Sequence, residues 1–514
     1  MKKTKIILTL VMLFLVVVVL LSACSKKSFD IGADARTVYD IAAVFDPEAK
    51  TLKCSQEVVY INRTGGHLSE VCFNLPQNAF RKDAAYPAVS PKYKKASYYN
   101  GESYGGVEFS SVSVGSKAAD YKIGGADQNT LTVTLPSLLK NNAEVYINME
   151  YTVTLPECAA RMGITKTTVN LGNFYPIAAV FESGRFVCEP YYSFGDPFFS
   201  ECADYYLTLT FPEEYQAAHS GREASGYFEN GLRTLEIEAK SHRDVAVVLS
   251  KNFKSASDRI NGIDVNYFYL DDEAHKTTLK TAVSAISAFS EAFGEYPFDS
   301  FTFAETELYA GGMEYGSMAY IADSLSGEAQ TQTLVHEVAH QWWYIGVGTN
   351  QIAEAWLDEG LSDFSVALYF KRSGAAQTYE RMMDAALSSY NVYMAALAPA
   401  KSDMKRPLGE FISEGEYIMI CYMKSALMFQ SVYEIVGEKQ FLNALSDFYR
   451  DNKFKTATSA DLMKCFDSRC RGAAAPIFNA FIKGYVVLGA AAPIVGERRP
   501  HGKAVEPEFP FLTQ

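Results

Sequence analysis

The sequence has little of what a nucleic-acid-binding protein or a small redox domain requires. Its 47 Lys and Arg residues are outnumbered by 60 Asp and Glu residues, which gives a formal net charge of −13. Nucleic acids and anionic membrane surfaces are bound through basic surfaces, so we expect no nucleic-acid partner. None of the nine cysteines belongs to a Cys-x-x-Cys pair. This absence argues against a zinc ribbon and against a thioredoxin-like redox motif.

The composition is that of a folded globular protein. The chain has 514 residues, of which 48% are hydrophobic and 21% are charged. At roughly 100–200 residues per domain, this length predicts two to four domains, each large enough to bury its own core. A chain of this size does not depend on disulfides for stability, so we expect the cysteines to be small buried side chains.

The N-terminus predicts a targeting segment. Three lysines precede a mainly apolar stretch, residues 6–21, and the stretch ends in a Leu-Ser-Ala-Cys sequence whose last residue is Cys24. This pattern resembles a bacterial lipoprotein signal, which implies removal of residues 1–23, lipidation of Cys24 and a tether over residues 24–35. An uncleaved membrane anchor is the alternative, because the stretch nearly reaches the ~17 residues that span a bilayer. Both interpretations place the body outside the cytoplasm, and the first predicts lipid anchoring to a bacterial membrane.

Residues 36–250 predict an N-terminal antiparallel β domain. The clearest strand covers 145–155, where apolar and polar residues alternate over the whole length. Segments 131–135 and 205–211 alternate in the same way. Alternation with period two is typical of strands with one buried and one solvated face.

Residues 251–483 predict a second, mainly helical domain. Apolar residues recur at three- and four-residue spacing from 279 to 293, and Gly294 ends this predicted helix. A strand around 301–303 follows, and helical patterns dominate from 331 to 483. Residues 484–514 are rich in Ala, Pro and Gly and predict a poorly ordered or surface-wrapping tail.

The segment His-Glu-Val-Ala-His at 336–340 is a candidate metal site. On an α-helix, His336 and His340 differ by only about 40° in direction and lie ~6 Å apart along the axis, so both imidazoles can reach one metal ion. Glu337 lies about 100° away from His336, where it can contact a water molecule on that metal. This is the position that a general base needs.

A third ligand is required for a catalytic zinc site. Glu359 follows His340 after 18 residues. Together the four residues resemble the gluzincin metallopeptidases, in particular the aminopeptidase N and leukotriene-hydrolase family. The resemblance implies a thermolysin-like catalytic domain, one zinc ion held by His336, His340 and Glu359, and Glu337 as the base. Another divalent metal remains an alternative, although this ligand set suits zinc best.

A second segment, Gly311-Gly312-Met313-Glu314-Tyr315, is similar to the Gly-x-Met-Glu-Asn motif of the same family. The similarity implies that Glu314 pairs with the free ammonium of a peptide substrate. Glycines at this edge would let the substrate backbone approach. The sequence departs from the motif at Tyr315, which stands where the family has Asn.

A third segment, Tyr422-Met423-Lys424-Ser425, resembles the Tyr-Glu-Lys-Gly segment of the family. The resemblance implies that Tyr422 donates a hydrogen bond to the oxyanion formed during hydrolysis, a role that a protonated phenol can fill. Tyr417, five residues earlier, is the alternative candidate.

Two further features of the family are incomplete in the sequence. Segment 196–199, Asp-Pro-Phe-Phe, resembles a region near the end of the family's N-terminal β domain. The second amine-binding residue that the family supplies upstream of it has only two candidates, Glu182 and Glu189. The family's long C-terminal helical domain is expected to be missing, because the thermolysin-like pattern ends near residue 483. The fold class is therefore multidomain α+β.

The sequence thus predicts a zinc aminopeptidase, tethered to a membrane, that removes N-terminal residues from peptides with a free N-terminus. An endopeptidase is one alternative, because Tyr315 or a shorter C-terminus could let peptides extend past Glu314. A catalytically idle peptide-binding lipoprotein of the same fold is another.

Overall fold

The computed structural model describes residues 36–396, 402–484 and 486. The predicted signal peptide and tether, including Cys24, and nearly all of the predicted tail lie outside the described residues. Within the described ranges, none of the helices combines the length and apolar character needed to cross a membrane. The chain forms two compact units that divide mainly after Asn252, and the second unit also includes Val89–Tyr93 and Tyr192–Glu201.

The first unit is built almost entirely from β-strands. A 3₁₀-helix (Pro76–Phe80) and one short α-helix (Lys94–Ser97) are its helical elements in the described residues. The strands are β1 (Val38–Asp46), β2 (Thr51–Ile61), β3 (Leu68–Asn74), β4 (Gly106–Val114), β5 (Lys117–Ala118), β6 (Tyr121–Gly124), β7 (Thr130–Leu139), β8 (Glu144–Thr154), β9 (Met162–Ile164), β10 (Val169–Gly172), β11 (Ile177–Ala178), β12 (Phe181–Glu182), β13 (Arg185–Phe186), β14 (Ala203–Pro212), β15 (Gln216–His219), β16 (Arg222–Glu229), β17 (Leu232–His242) and β18 (Ala246–Ser250).

The largest sheet of this unit has eight strands in the order β16-β17-β14-β1-β2-β8-β4-β5. Two four-stranded sheets, β15-β18-β10-β9 and β11-β3-β7-β6, and the hairpin β12-β13 complete the unit. Strand pairs are antiparallel, as predicted, except that β1 and β14 are parallel. The antiparallel prediction was wrong for this pair because β1 and β14 are distant in sequence, so no hairpin turn dictates their relative direction.

The predicted alternation of strand faces is confirmed in β8. Ile147, Met149, Tyr151 and Val153 are buried, whereas the residues between them are partly exposed. Gln56 lies opposite Met149 in the neighbouring strand, and its Oε1 accepts a hydrogen bond from the Tyr151 hydroxyl at 2.7 Å. The hydrophobic face therefore determines the register of the sheet, since a one-residue slip would expose it.

The second unit combines a mixed sheet with helices. Its strands β19 (Lys254–Ile260), β20 (Ile263–Tyr269), β21 (Ser300–Thr306), β22 (Gly312–Tyr315) and β23 (Met318–Ala322) form a sheet in the order β19-β20-β21-β23-β22. The α-helices are His275–Phe293, Gly327–Ala339, Trp356–Arg372, Ala376–Ala396, Glu414–Tyr417, Ser425–Val436, Glu438–Asn452, Ser459–Cys470 and Ala475–Lys483, with a 3₁₀-helix at Leu408–Glu410 and a π-helix at Ile418–Lys424.

The helix His275–Phe293 shows how the sequence pattern produces this packing. It ends before Gly294, as predicted, and Gly294 has a φ of 127°, which a residue with a Cβ rarely adopts. Phe289 and Phe293 point to one side and contact Trp342, whose ring centre lies 5.7 Å from that of Phe289. Trp342 also donates a hydrogen bond from Nε1 to the carbonyl of Gly294 at 2.9 Å. The helix end is thereby fixed beside the candidate metal segment.

Two segments that the sequence assigned to the β domain pack within the second unit. The ring of Tyr93 stacks on that of Tyr309 with centres 5.2 Å apart. Phe194 contacts Tyr417 with ring centres 5.8 Å apart. These aromatic contacts explain why the two segments belong to the second unit, which the periodicity of the sequence does not reveal.

The fold class predicted from the sequence is confirmed: a β-rich N-terminal part is followed by a mainly helical part. Every cysteine that the structure describes is a free thiol, and five of these are buried, in agreement with their predicted role as packing residues: Cys54, Cys72, Cys158, Cys202 and Cys421.

Candidate active site

The two histidines lie at the end of the helix Gly327–Ala339. Leu334, Val335 and Val338 are fully buried and hold this helix in the core. His336 lies in its last turn, and His340 is the residue that ends it, with helical backbone angles. Their rings therefore lie close together in an edge-to-face arrangement with centres 4.6 Å apart, as the spacing of four residues predicted.

Hydrogen bonds set the orientation of both imidazoles. Nδ1 of His336 lies 3.1 Å from Oδ1 of Asp363, and Nδ1 of His340 lies 3.1 Å from the carbonyl oxygen of Trp343. Both partners are acceptors, so each Nδ1 carries the proton and each Nε2 is left with its lone pair in the neutral ring. Two neutral imidazole nitrogens of this kind are metal ligands.

Glu359 supplies the third ligand position. It lies in the first turn of the helix Trp356–Arg372, so the predicted succession of helix, turn and helix is confirmed. Its Oε2 is 3.2 Å from Nε2 of His336 and 3.4 Å from Nε2 of His340, and the two nitrogens are 2.9 Å apart. Ligands at 2.0–2.1 Å from a tetrahedral zinc ion are about 3.3 Å apart, so the three atoms fit this metal.

We call His336, His340, Glu359 and Asp363 the metal cluster. Burial alone would lower the pKa of His336, but hydrogen bonds to Asp363 and Glu359 raise it to about 10, so binding of a metal would displace a proton from this ring. Burial alone would also raise the pKa of Glu359, but its contacts with both histidines hold that pKa well below the usual value. The cluster is therefore a set of mutually stabilising acids and bases that favours an ionised carboxylate.

Glu337 lies beside the metal cluster and is 5% exposed. Its Oε2 is buried and has no hydrogen-bond partner in the described residues. Burial raises the pKa of this carboxyl to about 8, although the neighbouring His336 acts in the opposite direction. Such a carboxyl can accept and return a proton near neutral pH.

Gly312 makes room for this carboxyl. A Cβ at Gly312 would lie 2.3 Å from Oε1 of Glu337 and 2.8 Å from Cγ2 of Thr333. At Gly311 the nearest atom would be 3.5 Å away. Only the second of the two predicted glycines is therefore required for close packing against the candidate base.

Strand β22 presents its residues alternately to two faces. Glu314 is 3% exposed, and one of its carboxylate oxygens lies within 4.8 Å of ligand atoms of both Glu337 and His340. Tyr315 points to the opposite face, where its ring contacts Tyr320 with centres 4.8 Å apart. The replacement of Asn by Tyr at this position therefore changes the core side of the strand.

A buried amide joins Glu314 to the helix that carries Glu359. Nε2 of Gln351 lies 2.8 Å from Oε1 of Glu314 and 2.8 Å from Oδ2 of Asp358. We call Glu314, Gln351 and Asp358 the amide cluster. Burial, and then the charge of Glu359, raises the pKa of Asp358 to about 8.

Both candidate tyrosines lie near the metal cluster. The hydroxyl of Tyr417 donates a hydrogen bond to Oε1 of Glu359 at 3.2 Å. Tyr422 lies on the π-helix Ile418–Lys424, and its ring stacks 5.9 Å from that of His336. Burial and the charge of Glu359 hold the pKa of both phenols well above the usual value, so both keep their protons. The choice of Tyr422 over Tyr417 stays a prediction.

The residues that follow Tyr422 hold the helices together. Lys424 is fully buried and donates hydrogen bonds to the carbonyls of Ser402 and Gly484. Ser425 stands where the family has Gly, and it packs against Gly360, where an added Cβ would lie 2.3 Å from Cβ of Ser425. The departure at Ser425 is thus accommodated by a glycine directly after Glu359.

The remaining predicted residues are less informative. Met313 is buried on the same strand face as Tyr315. Glu182 and Glu189 both lie in the first unit, and a role for either stays a prediction.

The sequence analysis did not predict Asp363, although its position four residues after Glu359 places both on one helix face. Gln351 had no sequence signal, because it lies between helices and outside any motif.

The ligand geometry and the helix–turn–helix arrangement define the site as a gluzincin zinc site. Comparison with known proteins agrees with this class. The family model for the peptidase family M1 domain matches residues 277–482. Residues 277–482 are thus similar to the peptidase family M1 domain, and His336, His340 and Glu359 form the candidate zinc site within this range.

Two curated relatives match part of the chain. Tricorn protease-interacting factor F2 of Thermoplasma acidophilum is 25% identical over 257 residues, which covers 46% of this chain and 32% of the relative. The protein of the same description from Thermoplasma volcanium is 24% identical over 257 residues, with the same coverage. The matched part of the chain thus spans about a third of the length of these relatives.

Solved structures share the fold over nearly the whole chain. The M1 zinc metallopeptidase from Deinococcus radiodurans has a TM-score of 0.65 at 15% identity, covering 92% of this chain and 99% of that protein. A mutant of an M1 zinc metallopeptidase from the same organism, bound to a Tyr-Ser-Ala substrate, has a TM-score of 0.64 at 15% identity, covering 89% and 96%. A two-domain M1 zinc metallopeptidase mutant bound to L-arginine has a TM-score of 0.62 at 14% identity, covering 88% and 95%.

Proposed function

We propose that the protein is a zinc aminopeptidase that removes single residues from the N-terminus of peptides. One observation carries the proposal: the Glu314 carboxylate lies within 4.8 Å of ligand atoms of Glu337 and His340. An ammonium nitrogen and the first carbonyl carbon of a peptide are only about 2.5 Å apart. A substrate whose amine pairs with Glu314 therefore presents its first peptide bond to Glu337.

The edge of the sheet provides a place for the substrate backbone. Among the described strands, β22 is the last in its sheet and lies next to β23, so it forms an edge of that sheet. An extended peptide can add to such an edge through main-chain hydrogen bonds. The absence of a side chain at Gly312 supports close approach at this point.

The proposed chemistry uses groups that are already oriented. His336, His340 and Glu359 would hold a zinc ion, whose chemistry there would be polarisation of the scissile carbonyl and a lower pKa of a bound water molecule. Glu337 would take the proton from the attacking water on Oε2 and pass it to the leaving amine nitrogen. Tyr422 would donate its phenolic hydrogen to the carbonyl oxygen as negative charge develops there.

The test of this proposal is hydrolysis of aminoacyl-naphthylamides and of their N-acetylated forms by residues 25–514. We expect cleavage of the free-amine substrates alone, loss of cleavage with a chelator and recovery with zinc. Cleavage of the acetylated substrates would instead identify an endopeptidase. Zinc binding without any cleavage would indicate a catalytically idle peptide-binding protein.

The variant Glu337→Gln tests the role of the base. It keeps the side-chain volume but removes the proton acceptor, so we expect kcat to fall by about 10²–10⁴-fold while zinc stays bound. Glu328→Gln is the matched control, because Glu328 is an exposed carboxylate on the same helix that pairs with Arg381. Retained turnover in Glu337→Gln would overturn the mechanism.

We also propose that the protein is lipid-anchored on the outer side of a bacterial cytoplasmic membrane. The support is the sequence around Cys24 at the end of an apolar segment. We expect labelled fatty acid to be incorporated into the wild-type protein and not into Cys24→Ser. A membrane-bound protein that retains residues 1–23 and carries no lipid would favour the uncleaved anchor.

A further inference from the structure

Gln351 makes an unusual pair of contacts for a residue outside every motif. It is 1% exposed and lies in the connection between the helices Gly327–Ala339 and Trp356–Arg372. Its amide lies 2.8 Å from a carboxylate oxygen of Glu314 and 2.8 Å from one of Asp358. A carbonyl oxygen in this place would be repelled by both carboxylates, so the NH₂ group of the amide must face them.

We propose that Gln351 is a positioning residue for recognition of the substrate amine, acting through Glu314. This inference rests on the proposed aminopeptidase function. By donating to Oε1 of Glu314, Gln351 fixes the plane of that carboxylate and leaves Oε2 as the acceptor for an ammonium group. Gln351 itself need not contact the substrate.

The second contact of Gln351, with Asp358, links Glu314 to the metal site. Asp358 directly precedes the zinc ligand Glu359, so the amide ties the amine-binding carboxylate on β22 to the helix that holds the metal ligand. The separation between the amine and the scissile carbonyl is fixed by the covalent structure of the substrate. A misplacement of Glu314 by about 1 Å would therefore weaken substrate binding and misorient the scissile bond.

The same contact also separates two buried acidic side chains. Glu314 and Asp358 are 3% and 0% exposed, and a single nitrogen lies between them. Removing the donor leaves two buried carboxyl groups without their shared hydrogen-bond partner, and an unsatisfied buried polar group is costly in a medium of low polarity. Glu314 is then expected to rotate away from its present orientation, because nothing else in the described amide cluster donates to it.

The test compares Gln351→Met with Gln330→Met. Both substitutions remove a buried amide that faces a carboxylate, since Nε2 of Gln330 lies 3.5 Å from Oε1 of Glu305 and Gln330 is 6% exposed. We expect Gln351→Met to raise KM for free-amine substrates by about tenfold or more, with a smaller change in kcat. The preference for free over acetylated amine should fall by a similar factor. Gln330→Met should leave this preference unchanged.

A double-mutant cycle separates positioning from general damage. In the Glu314→Gln background, Gln351→Met should cause no further loss of amine preference, because the residue that it positions is already neutral. Gln351→Asn, which retains an amide on a shorter side chain, replaces Gln351→Met if that variant does not fold, and it should show an intermediate loss. Zinc content and thermal melting of each variant exclude loss of the metal site as the cause.

The outcomes distinguish the two proposals. If the wild type prefers free amines and Gln351→Met keeps that preference, the inference about Gln351 is wrong and the aminopeptidase stands. An equal loss in Gln330→Met would likewise overturn it. If the wild type itself shows no preference for free amines, the aminopeptidase proposal fails and the role of Gln351 fails with it.

Discussion

The metal cluster and the amide cluster both bury carboxylates next to the helix Trp356–Arg372, but they stabilise them in different ways. In the metal cluster, two histidines contact Glu359 and hold its pKa well below the usual value, even though burial acts in the opposite direction. In the amide cluster, Asp358 is the residue before Glu359, yet burial raises its pKa to about 8. Neighbouring carboxylates on one helix turn thus have opposite shifts.

The opposite pKa shifts of Glu359 and Asp358 follow from their different hydrogen-bond partners. An imidazole can share or accept a proton, so it compensates a negative charge directly. The NH₂ group of an amide donates hydrogen bonds but carries no charge, so it orients a carboxylate without neutralising it. The metal cluster is therefore suited to a bound cation, and our proposed function assigns the ammonium group of a substrate to the amide cluster.

Removal of the metal should have the largest effect on turnover, because it acts on the metal cluster and leaves the amide cluster unchanged. We expect a chelator to abolish turnover of the wild type, because it removes the metal. We expect His336→Ala to lose zinc and activity together, because it removes a ligand that the amide cluster cannot replace. Intrinsic fluorescence should change on chelation, since the carbonyl of Trp343 accepts the hydrogen bond of His340. Turnover at full rate in metal-free protein would contradict the assignment of the metal cluster.

The two tyrosines near the metal cluster can be distinguished by their effects on kcat. Tyr422→Phe should lower kcat by about 10²–10³-fold with little change in KM, as expected for the loss of one oxyanion donor. Tyr417→Phe should cost less, because its hydroxyl already donates to Glu359 and serves to orient that ligand. Steady-state kinetics of the two zinc-loaded variants decide the matter, and the reverse order would assign the oxyanion role to Tyr417.

The two glycines test the strand that connects the clusters. Gly312→Ala places a methyl group against Glu337 and Thr333, so we expect kcat/KM to fall by about 10- to 100-fold through displacement of the base. Gly311→Ala meets no atom closer than 3.5 Å and should have a clearly smaller effect. Equal effects of the two substitutions on kcat/KM would show that contact with Glu337 is not the cause.

The smallest expected effect on turnover is that of Asp363. Asp363→Asn weakens the hydrogen bond that orients His336, so zinc affinity should fall by about 10- to 100-fold. At saturating zinc, kcat should recover to within a few-fold of the wild type. Competition with a chromogenic chelator measures the affinity, and an unchanged value would mean that Asp363 does not support the ligand.

Sequence patterns were sufficient for the metal ligands because their spacing is local. His336 and His340 are four residues apart on one helix, so helical geometry alone brings their rings together. Glu359 needed only a turn and a second helix. The alternation in β8 likewise predicted its buried face without knowledge of its neighbours.

The same patterns could not predict contacts between distant segments. Tyr93 and Phe194 lie within the sequence of the β domain but pack against residues of the second unit. The parallel pairing of β1 with β14 depends on the path of the chain through the 156 residues between Asp46, where β1 ends, and Ala203, where β14 begins. These are properties of packing, which periodicity along one element does not encode.

The sequence by itself determined the class of the site, because ligand type and helical spacing are local properties that survive any arrangement of the rest. Only the tertiary structure decided what surrounds those ligands. In the folded chain, Asp363 contacts His336, and Tyr315 lies on the strand face opposite to Glu314. Gly312 packs against Glu337. The amide of Gln351 lies between Glu314 and Asp358. The physical reason is that burial and hydrogen-bond partners arise from segments far apart in sequence, and they set the orientation and pKa of each group only when the chain is folded.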